Sequence, residues 1–152
     1  MADAAGHSQS AAAALSALYH FLEGPSIDHL RQVLGLTSSG TVRLIDRLQA
    51  DGYVTRQPGL DGRSTTIRLT PSGRRAAARV SAARTRVLDA ALAALSPPDR
   101  ETLDRLISLI LIGQMRGPGA TRWVCRLCDT TACGRDAGWC PVAHEAQLRY
   151  LS

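Results

Sequence analysis

Apolar residues recur at helical spacing in the middle of the chain, between Thr37 and Asp51. Four positions at i, i+3, i+4 and i+7 predict a helix with one buried side. These positions are Thr41, Leu44, Ile45 and Leu48. The opposite side is small, polar or basic and carries Ser38, Ser39, Val42, Arg43 and Arg47. Arginine pairs with guanine, serine bonds to bases or phosphates, and valine contacts a thymine methyl group. The pattern therefore predicts a recognition helix for the major groove of DNA.

Capping residues delimit this helix and a shorter one before it. Ser26 precedes the first helix and can cap it, and Gly35 stands where a left-handed residue ends a helix. Thr37 can cap the recognition helix, and Gly52 ends it. The core residues of the first helix are Leu30, Val33 and Leu34. Two helices joined by so short a turn are a predicted helix-turn-helix unit.

Two segments after the recognition helix have strand composition, residues 53–57 and 64–70. Proline and glycine between them predict a turn over residues 58–63. An arginine at the tip of that turn, Arg63, can reach into a minor groove, where negative potential is focused. Residues 26–70 are therefore expected to form a winged helix-turn-helix. The alternative is an ordinary helical hairpin with a solvated basic face.

Four segments form a combined pattern that is specific, although a helix-turn-helix alone is not. They are LGLTSSGTVRLIDRLQADGYV (34–54), DGRS (61–64), LTPSGRR (69–75) and LSPPDRETLDRLISLI (95–110). With them, residues 10–115 closely resemble the MarR family of winged helix-turn-helix transcription regulators. The resemblance implies a homodimeric repressor bound to a pseudo-palindromic operator in double-stranded DNA.

The resemblance also implies roles for single residues. It places residues 37–48 in the major groove and Arg63 in the minor groove, and Asp46 matches a family aspartate that pairs with a wing arginine. The candidate DNA-contacting residues are Thr37, Ser38, Ser39, Thr41, Val42, Arg43, Arg47 and Arg63. Relatives carry a further N-terminal helix in the dimer interface, for which this chain has too few residues.

Further helices are predicted on both sides of the winged unit. Residues 10–23 carry an apolar stripe that ends at a Gly-Pro pair. After the wing, Thr70 caps a long helix over residues 71–95, and Ser96 caps another that reaches about residue 116. The apolar surface of these two helices is too broad to bury in a small domain, so a partner subunit is expected. Alternatively, the two helices pack on each other and on the winged core.

Charge supports DNA as the partner. The formal net charge is +5, and all 18 basic residues are arginines. Between Thr37 and Arg75, seven arginines oppose three aspartates, a local net charge of +4, so most of the net charge lies on the proposed DNA-binding segment. Stacking aromatics for RNA and lipid-anchor motifs for a membrane are lacking. Without a predicted signal peptide or membrane span, we expect a cytoplasmic, nucleoid-associated protein of a bacterium or archaeon, with reduced thiols.

All four cysteines lie within sixteen residues, spaced C-x2-C-x4-C-x6-C. They are Cys125, Cys128, Cys133 and Cys140. In a cytoplasmic protein this run favours metal ligation over a disulfide framework. Nearby glycines let the backbone wrap closely, and nearby arginines favour thiolates. The alternatives are four unrelated buried thiols or a reversible disulfide switch without metal.

Two kinds of metal centre fit the run. A structural zinc site needs four ligands around one ion, and its second pair would be Cys133 with Cys140, or Cys140 with His144. An iron–sulfur cluster, [4Fe–4S] or [2Fe–2S], suits a continuous run of unevenly spaced cysteines, and Cys140-Pro141 resembles the end of ferredoxin runs. We favour the cluster narrowly. It would sense oxidant, nitric oxide or iron supply, whereas zinc would only brace the tail.

The expected fold class is mainly α (α+β): a winged helix-turn-helix with dimerisation helices and a small, metal-bound, cysteine-rich tail. The expected parts are a disordered N-terminus (1–9), the winged unit (10–70), the dimerisation helices (71–116) and the tail (117–152). The expected function is sequence-specific DNA binding without enzymatic activity. A metal-dependent oxidoreductase is one alternative, although a Gly-rich cofactor loop and a nucleophile–base pair are lacking. A non-DNA-binding interaction adaptor is another, although the wing is rich in arginine.

Overall fold

The computed structural model describes residues 8–59, 64–126, 128–130, 132–135 and 137–150. Within them the chain forms helices and one two-stranded antiparallel sheet. The elements are α1 (Gln9–His20), α2 (Ile27–Leu34), α3 (Ser38–Ala50), β1 (Val54–Pro58), β2 (Thr65–Leu69), α4 (Pro71–Leu92), α5 (Pro97–Gly113), α6 (Thr121–Val124) and α7 (Pro141–Tyr150). The predicted fold class, a mainly helical winged helix-turn-helix, is confirmed. None of the helices in these ranges is long and apolar enough to cross a membrane.

The predicted caps delimit the helix-turn-helix formed by α2 and α3. The hydroxyls of Ser26 and Thr37 each accept a hydrogen bond from the backbone N–H three residues on, at 3.1 Å in both cases. Gly35 has a φ of 66°, the left-handed conformation that ends α2. Local hydrogen bonds therefore fix the turn between the two helices.

Helix α1 begins one residue earlier than predicted. The Ser8 hydroxyl accepts a hydrogen bond from the Ala11 N–H at 3.3 Å and so caps the helix at Gln9. Ser8 and Gln9 therefore belong to the folded unit rather than to the disordered segment expected over residues 1–9. Residues 1–7 of that segment lie outside the described residues.

The core of the winged unit lies where α1, α2, α3, the sheet and the start of α4 meet. Its largest fully buried side chains are Leu15, Leu30, Val33, Thr41, Ile45, Leu48, Val54 and Ile67. All four predicted inward positions of α3 are buried. Each large apolar side chain buried here stabilises the fold by about 1.5–3 kcal/mol, so α3 is held in one rotational setting.

The wing is a hairpin that is attached to the body. Strands β1 and β2 pair in antiparallel register, with Val54 opposite Leu69. The Ile67 N–H donates to the Pro25 carbonyl at 2.9 Å, which ties β2 to the loop before α2. The predicted tip residue, Arg63, lies outside the described residues.

Helix α4 begins at a tight contact with the end of α3. The Thr70 hydroxyl accepts from the Gly73 N–H at 2.9 Å and donates to the Gly52 carbonyl at 2.7 Å. A Cβ atom at Gly73 would lie 1.9 Å from the carbonyl oxygen of Tyr53. Only glycine therefore fits at this junction between the wing and α4.

Helices α4 and α5 leave a broad apolar surface uncovered. They end at Leu92 and Gly113, each three residues before the predicted end. Within the described residues α5 buries none of its side chains, and α4 buries none beyond Ala83. The large exposed apolar residues of the two helices are Val87, Leu88, Leu106, Ile107, Leu109 and Ile110. The alternative in which α4 and α5 bury each other's apolar surface is therefore not observed.

The cysteine-rich tail forms a second, smaller core against the end of α1 and against α5. Its buried members are Met115, Ala120, Cys125, Cys140 and Val142. Phe21 of the loop after α1 and Leu111 of α5 pack on them. The Tyr150 hydroxyl accepts a hydrogen bond from the Gly117 N–H at 3.2 Å, which joins the last helix to the start of the tail.

The junction at Gly73 yields a stability prediction. Gly73→Ala should destabilise the protein by about 1–3 kcal/mol or more, the usual cost of overpacking, because the new methyl group would overlap the Tyr53 carbonyl oxygen. Urea unfolding of the purified variant measures the change. Gly113→Ala is the matched control, since no atom lies within 4 Å of a Cβ there. Equal stability of Gly73→Ala and wild type would contradict the described junction.

Candidate DNA-binding surface and cysteine cluster

The outward side of α3 is the candidate DNA-binding surface. Its exposed residues are Ser38, Ser39, Val42, Arg43 and Arg47, with Thr37 exposed at the cap. The inward side of the same helix is packed in the core, so these six side chains face away from the protein. The surface combines hydroxyl groups, one apolar contact and two guanidinium groups, which suits the mixed chemistry of base edges and phosphates.

Thr41 belongs to the buried side of α3. It is fully buried, and its hydroxyl donates to the Thr37 carbonyl at 2.9 Å. Because the hydroxyl is buried and hydrogen-bonded within its own helix, the Thr41 side chain does not reach an external partner. We therefore remove Thr41 from the candidate DNA-contacting residues. Its position on the inward side of α3 already predicts this burial.

The Arg43 guanidinium lies along the outward side of α3. Its Nε donates to the Ser39 carbonyl at 3.3 Å, and the residue is exposed. A guanidinium has five N–H donors, so this contact positions the side chain and leaves the terminal nitrogens for an external acceptor. Arg47 is exposed one turn further along.

An ion pair joins the recognition helix to the wing. Arg56 of β1 pairs with Asp46 of α3, with 2.6 Å between Nη2 and Oδ1, and its Nη1 donates to Gln49 Oε1 at 2.6 Å. The implied pairing of Asp46 with a wing arginine is thus confirmed. Because both partners of Arg56 are on α3, the contact fixes the direction of the wing relative to the recognition helix.

The four cysteines lie in one small core. The Cys125 thiol hydrogen-bonds to Cys128, and the Cys133 thiol donates a hydrogen bond to the Thr130 carbonyl at 3.5 Å. Cys140 also acts electrostatically on Cys125, and Cys128 acts on Cys133. Cys125 and Cys140 are buried, and the other two are half-buried. Chain segments up to fifteen positions apart are thus brought together at one site.

The thiols of Cys125 and Cys128 differ in acidity. The hydrogen bond from Cys125 lowers the pKa of Cys128 to about 6, and the positive charges of Arg84 and Arg135 act in the same direction. The same hydrogen bond, together with burial, raises the pKa of Cys125. Burial also raises the pKa of Cys133. At neutral pH the four reduced cysteines therefore favour a thiolate at Cys128 and a neutral thiol at Cys125 beside it.

The predicted ligands do not form a finished coordination shell. Among the described residues, no three Cys, His, Asp or Glu side chains make a ready-made group for a metal ion. The substitute ligand His144 is exposed in α7, one turn after Cys140, and its backbone N–H donates to the Cys140 carbonyl at 3.0 Å.

His20 connects the cysteine segment to α1 and α4. The Thr130 hydroxyl donates to the His20 carbonyl at 2.6 Å, and His20 Nδ1 lies 3.4 Å from Asp129 Oδ1. The other ring nitrogen, Nε2, lies 3.0 Å from the Ser81 hydroxyl of α4. Burial lowers the pKa of His20 despite the nearby carboxylate, so the ring bridges the two segments as a neutral imidazole near pH 7.

The sequence alone does not indicate this bridge. The hydrogen bond from Thr130 spans 110 positions. Neither residue belongs to a motif, and no periodic pattern relates α1 to the cysteine run. Only the packing of the tail on the end of α1 brings them together.

Comparison with known proteins supports the fold. A model described as the MarR family matches residues 5–64. This range includes all of α1, α2, α3 and β1. No curated protein matches the chain.

Several solved structures resemble the chain. A MarR-family transcriptional regulator from Silicibacter pomeroyi is 29% identical, with 73% of this chain and 75% of that chain covered and a TM-score of 0.58. A MarR family protein from Bacillus stearothermophilus is 22% identical, with 73% and 77% covered and a TM-score of 0.67. A variant of MepR from Staphylococcus aureus, bound to an oligodeoxyribonucleotide, is 18% identical, with 70% and 79% covered and a TM-score of 0.51.

The ion pair between α3 and the wing can be tested by a double-mutant cycle. Asp46→Ala and Arg56→Ala should show a coupling energy of about 0.2–1 kcal/mol in urea unfolding, since the pair is partly exposed. Removing either partner should also speed amide hydrogen exchange in β1 and β2. Arg31→Ala is the control, because it breaks a similar pair with Asp28 on α2. Unchanged exchange in the wing of Arg56→Ala would argue against the proposed role of the pair.

Proposed function

We propose that this chain is a MarR-family transcription regulator that binds double-stranded DNA as a homodimer and acts as a repressor. The observation that carries the proposal is the outward side of α3. It is exposed, it is composed for base and phosphate contact, and its orientation is fixed by a buried opposite side. Such a regulator would work at the nucleoid, in the cytoplasm of a bacterium or archaeon.

The family match and the fold similarity support this proposal. The matched range, residues 5–64, contains the whole helix-turn-helix. The MepR variant with a similar fold is bound to an oligodeoxyribonucleotide. The same presentation of a helix and wing to DNA is what we infer for this chain.

The contacts proposed for α3 follow from its exposed residues. Ser38 and Ser39 lie in the first turn, where free backbone N–H groups and hydroxyls favour phosphate oxygens. Arg43 and Arg47 lie further along the helix and suit guanine edges or phosphates, and Val42 between them suits a thymine methyl group. Thr37 adds a hydroxyl at the cap. Arg63 at the wing tip is proposed to enter the adjacent minor groove.

A second copy of the chain is the proposed cover for α5. Apolar side chains with exposed fractions of 44–61% line α5 and are uncovered within the described residues. A dimer through this surface would present two recognition helices to half-sites about 34 Å apart, one turn of DNA. A pseudo-palindromic operator is the sequence counterpart of that symmetry.

Two other functions would use different features. A small metal-dependent oxidoreductase is favoured by the acidic thiol of Cys128, and it would act without DNA. An interaction adaptor would keep the fold and the dimer but ignore DNA. A gel shift with a duplex from the promoter region of the protein's own gene separates both from a regulator.

The DNA-binding proposal predicts different effects for two arginine substitutions. Arg43→Ala should weaken binding by about 1–3 kcal/mol if the guanidinium makes a bidentate base contact, and mainly at one base position. Arg63→Ala should weaken binding to all sequences and reduce the slope of log affinity against log salt by about one. Affinity for the promoter duplex at several salt concentrations measures both effects.

The matched control for these two variants is Arg149→Ala. It removes the same charge, but from α7, where Arg149 pairs with Glu145 at 2.6 Å. Its affinity and salt slope should equal those of wild type. If Arg43→Ala and Arg63→Ala leave the footprint and affinity unchanged as well, α3 and the wing are not the DNA-binding surface.

The dimer proposal predicts a loss of assembly on charging α5. Ile110→Glu should raise the dimer dissociation constant by at least about tenfold, because an unpaired carboxylate in an apolar interface costs more than about 1.4 kcal/mol. Sedimentation velocity measures the constant. Ile110→Leu is the control, which keeps an apolar side chain of equal size. A wild-type protein that stays monomeric at every concentration would overturn the proposed dimer.

A further inference from the structure

A cavity of about 650 Å³ lies between three parts of the chain. Its walls come from the end of α1 with the loop that follows it, from one side of the wing together with the start of α4, and from the cysteine-rich tail. The volume falls within the range of small-molecule sites, about 300–1,000 Å³. The walls include no described residue of the candidate DNA-binding surface or of the exposed apolar surface of α5. The cavity is therefore a feature that the proposed function does not use.

Three arginines from three different elements line this cavity. They are Arg68 of β2, Arg74 of α4 and Arg135 of the tail. Among the described residues, none of the three forms an ion pair with a carboxylate. The one carboxylate on the lining is that of Glu23, which is exposed, so three positive charges face one negative charge. Positive charges that converge on a cleft raise the local concentration of anions.

The position of Arg68 is fixed by the way in which β2 joins the loop before α2. The Ile67 N–H donates to the Pro25 carbonyl at 2.9 Å, which holds the neighbouring Arg68 beside that loop. Gly24 has a φ of 55°, and a Cβ atom there would lie 3.3 Å from both Cζ and Nη2 of Arg68. The guanidinium of Arg68 therefore lies against the loop at the edge of the cavity. Thr55, which is opposite Arg68 in the hairpin, lines the same cavity.

Arg135 reaches the cavity from the tail and carries an unsatisfied donor. Its backbone N–H donates to the Thr130 carbonyl at 3.3 Å, and the Thr130 hydroxyl donates to the His20 carbonyl at 2.6 Å, so its segment is tied to the end of α1. The guanidinium lies over the Phe21 ring, 5.6 Å from its centroid. Its Nη1 atom is buried and has no hydrogen-bond partner in the part of the chain that the structure describes. Such a donor is costly, and a small rotation of the guanidinium would give it an acceptor if an anion occupied the cavity.

We propose that this cavity binds a small oxyanion with two or more negative charges, such as a phosphate ester or a polycarboxylate, through Arg68, Arg74 and Arg135. The planar fork of a guanidinium matches carboxylate and phosphate oxygens, and three forks exceed what a single negative charge can compensate. The Thr55 hydroxyl and the Gln57 amide on the wall suit the uncharged polar groups of such a ligand. A phosphate of duplex DNA fits less well, because the cavity has walls on three sides.

Isothermal titration calorimetry of the full-length protein at constant ionic strength tests the proposal. The probes are pyrophosphate for the phosphate class and citrate for the polycarboxylate class, with acetate as the singly charged comparison. We expect at least one of the two multivalent probes to bind at one site per chain, and acetate to bind at least about tenfold more weakly, the effect of losing one charge-assisted contact. Absence of saturable binding by both multivalent probes would overturn the proposal.

Substitutions in the cavity locate the binding site. Arg68→Gln and Arg74→Gln should each raise the dissociation constant of the bound probe at least about tenfold. Arg79→Gln is the matched control, because Arg79 is exposed on α4 beyond Arg74 and does not line the cavity. It should bind the probe as wild type does. Equal weakening by all three substitutions would show attraction to the overall positive charge, and unchanged binding by Arg68→Gln and Arg74→Gln would also overturn the proposal.

Chemical modification of wild-type arginines keeps the test decisive where a variant fails to fold. With the bound probe at ten times its dissociation constant, phenylglyoxal should modify Arg68 and Arg74 about tenfold more slowly, as mass spectrometry would measure, because about nine-tenths of the sites are occupied. The modification rate of Arg79 should not change. Protection of Arg68 and Arg74 by the promoter duplex, but by neither multivalent probe, would assign the cavity to DNA and overturn the proposal. The calorimetry needs no DNA, so its failure leaves the proposed function intact, and the reverse also holds.

Discussion

The burial of one side of α3 is the constraint on which the rest of the structure depends. Its inward residues pack between α1, α2 and the wing, and each contributes stability that would be lost if the helix turned. The outward residues are therefore presented without any contact of their own with the core. The Arg56 fork then fixes the wing to the same helix. A helix and a wing held at one relative angle form a rigid unit. Such a unit positions the outward side chains of α3 more accurately than a loop would.

Much of this unit could be predicted because its determinants are local. Helical spacing identifies the inward positions of α3, and the hydroxyls of Ser26 and Thr37 mark helix starts within a few residues. The predictions that fail also rest on local patterns alone. Ser8 caps α1 earlier than the apolar stripe indicates, and Thr41 counts as polar by composition although its hydroxyl is satisfied within its own helix. Spacing predicts which side a residue faces better than its polarity does.

What could not be predicted depends on contacts between distant segments. Nothing local to Gly73 indicates that the Tyr53 carbonyl lies against it, and nothing near His20 indicates Thr130. The spacing of the cysteine run predicts a shared site, and the four cysteines do lie in one small core. The hydrogen bond from the Cys133 thiol to the Thr130 carbonyl is a property of the folded tail that spacing does not predict. The residue types alone indicate only that the site could take a metal.

The tail and the winged unit are separate cores that meet at the end of α1. Phe21 packs against both of them, and His20 beside it contacts the tail and α4. A small core of this kind has little apolar area of its own, so its stability depends strongly on any group that crosslinks its segments. A change in the order of the tail would therefore change its contacts at His20 far more than it would change the winged core. Helix α3 would keep its internal geometry, because the burial of its own inward side holds it. In the proposed dimer, the quantity left to vary would be the distance between the two copies of α3, which an operator with fixed half-site spacing would measure.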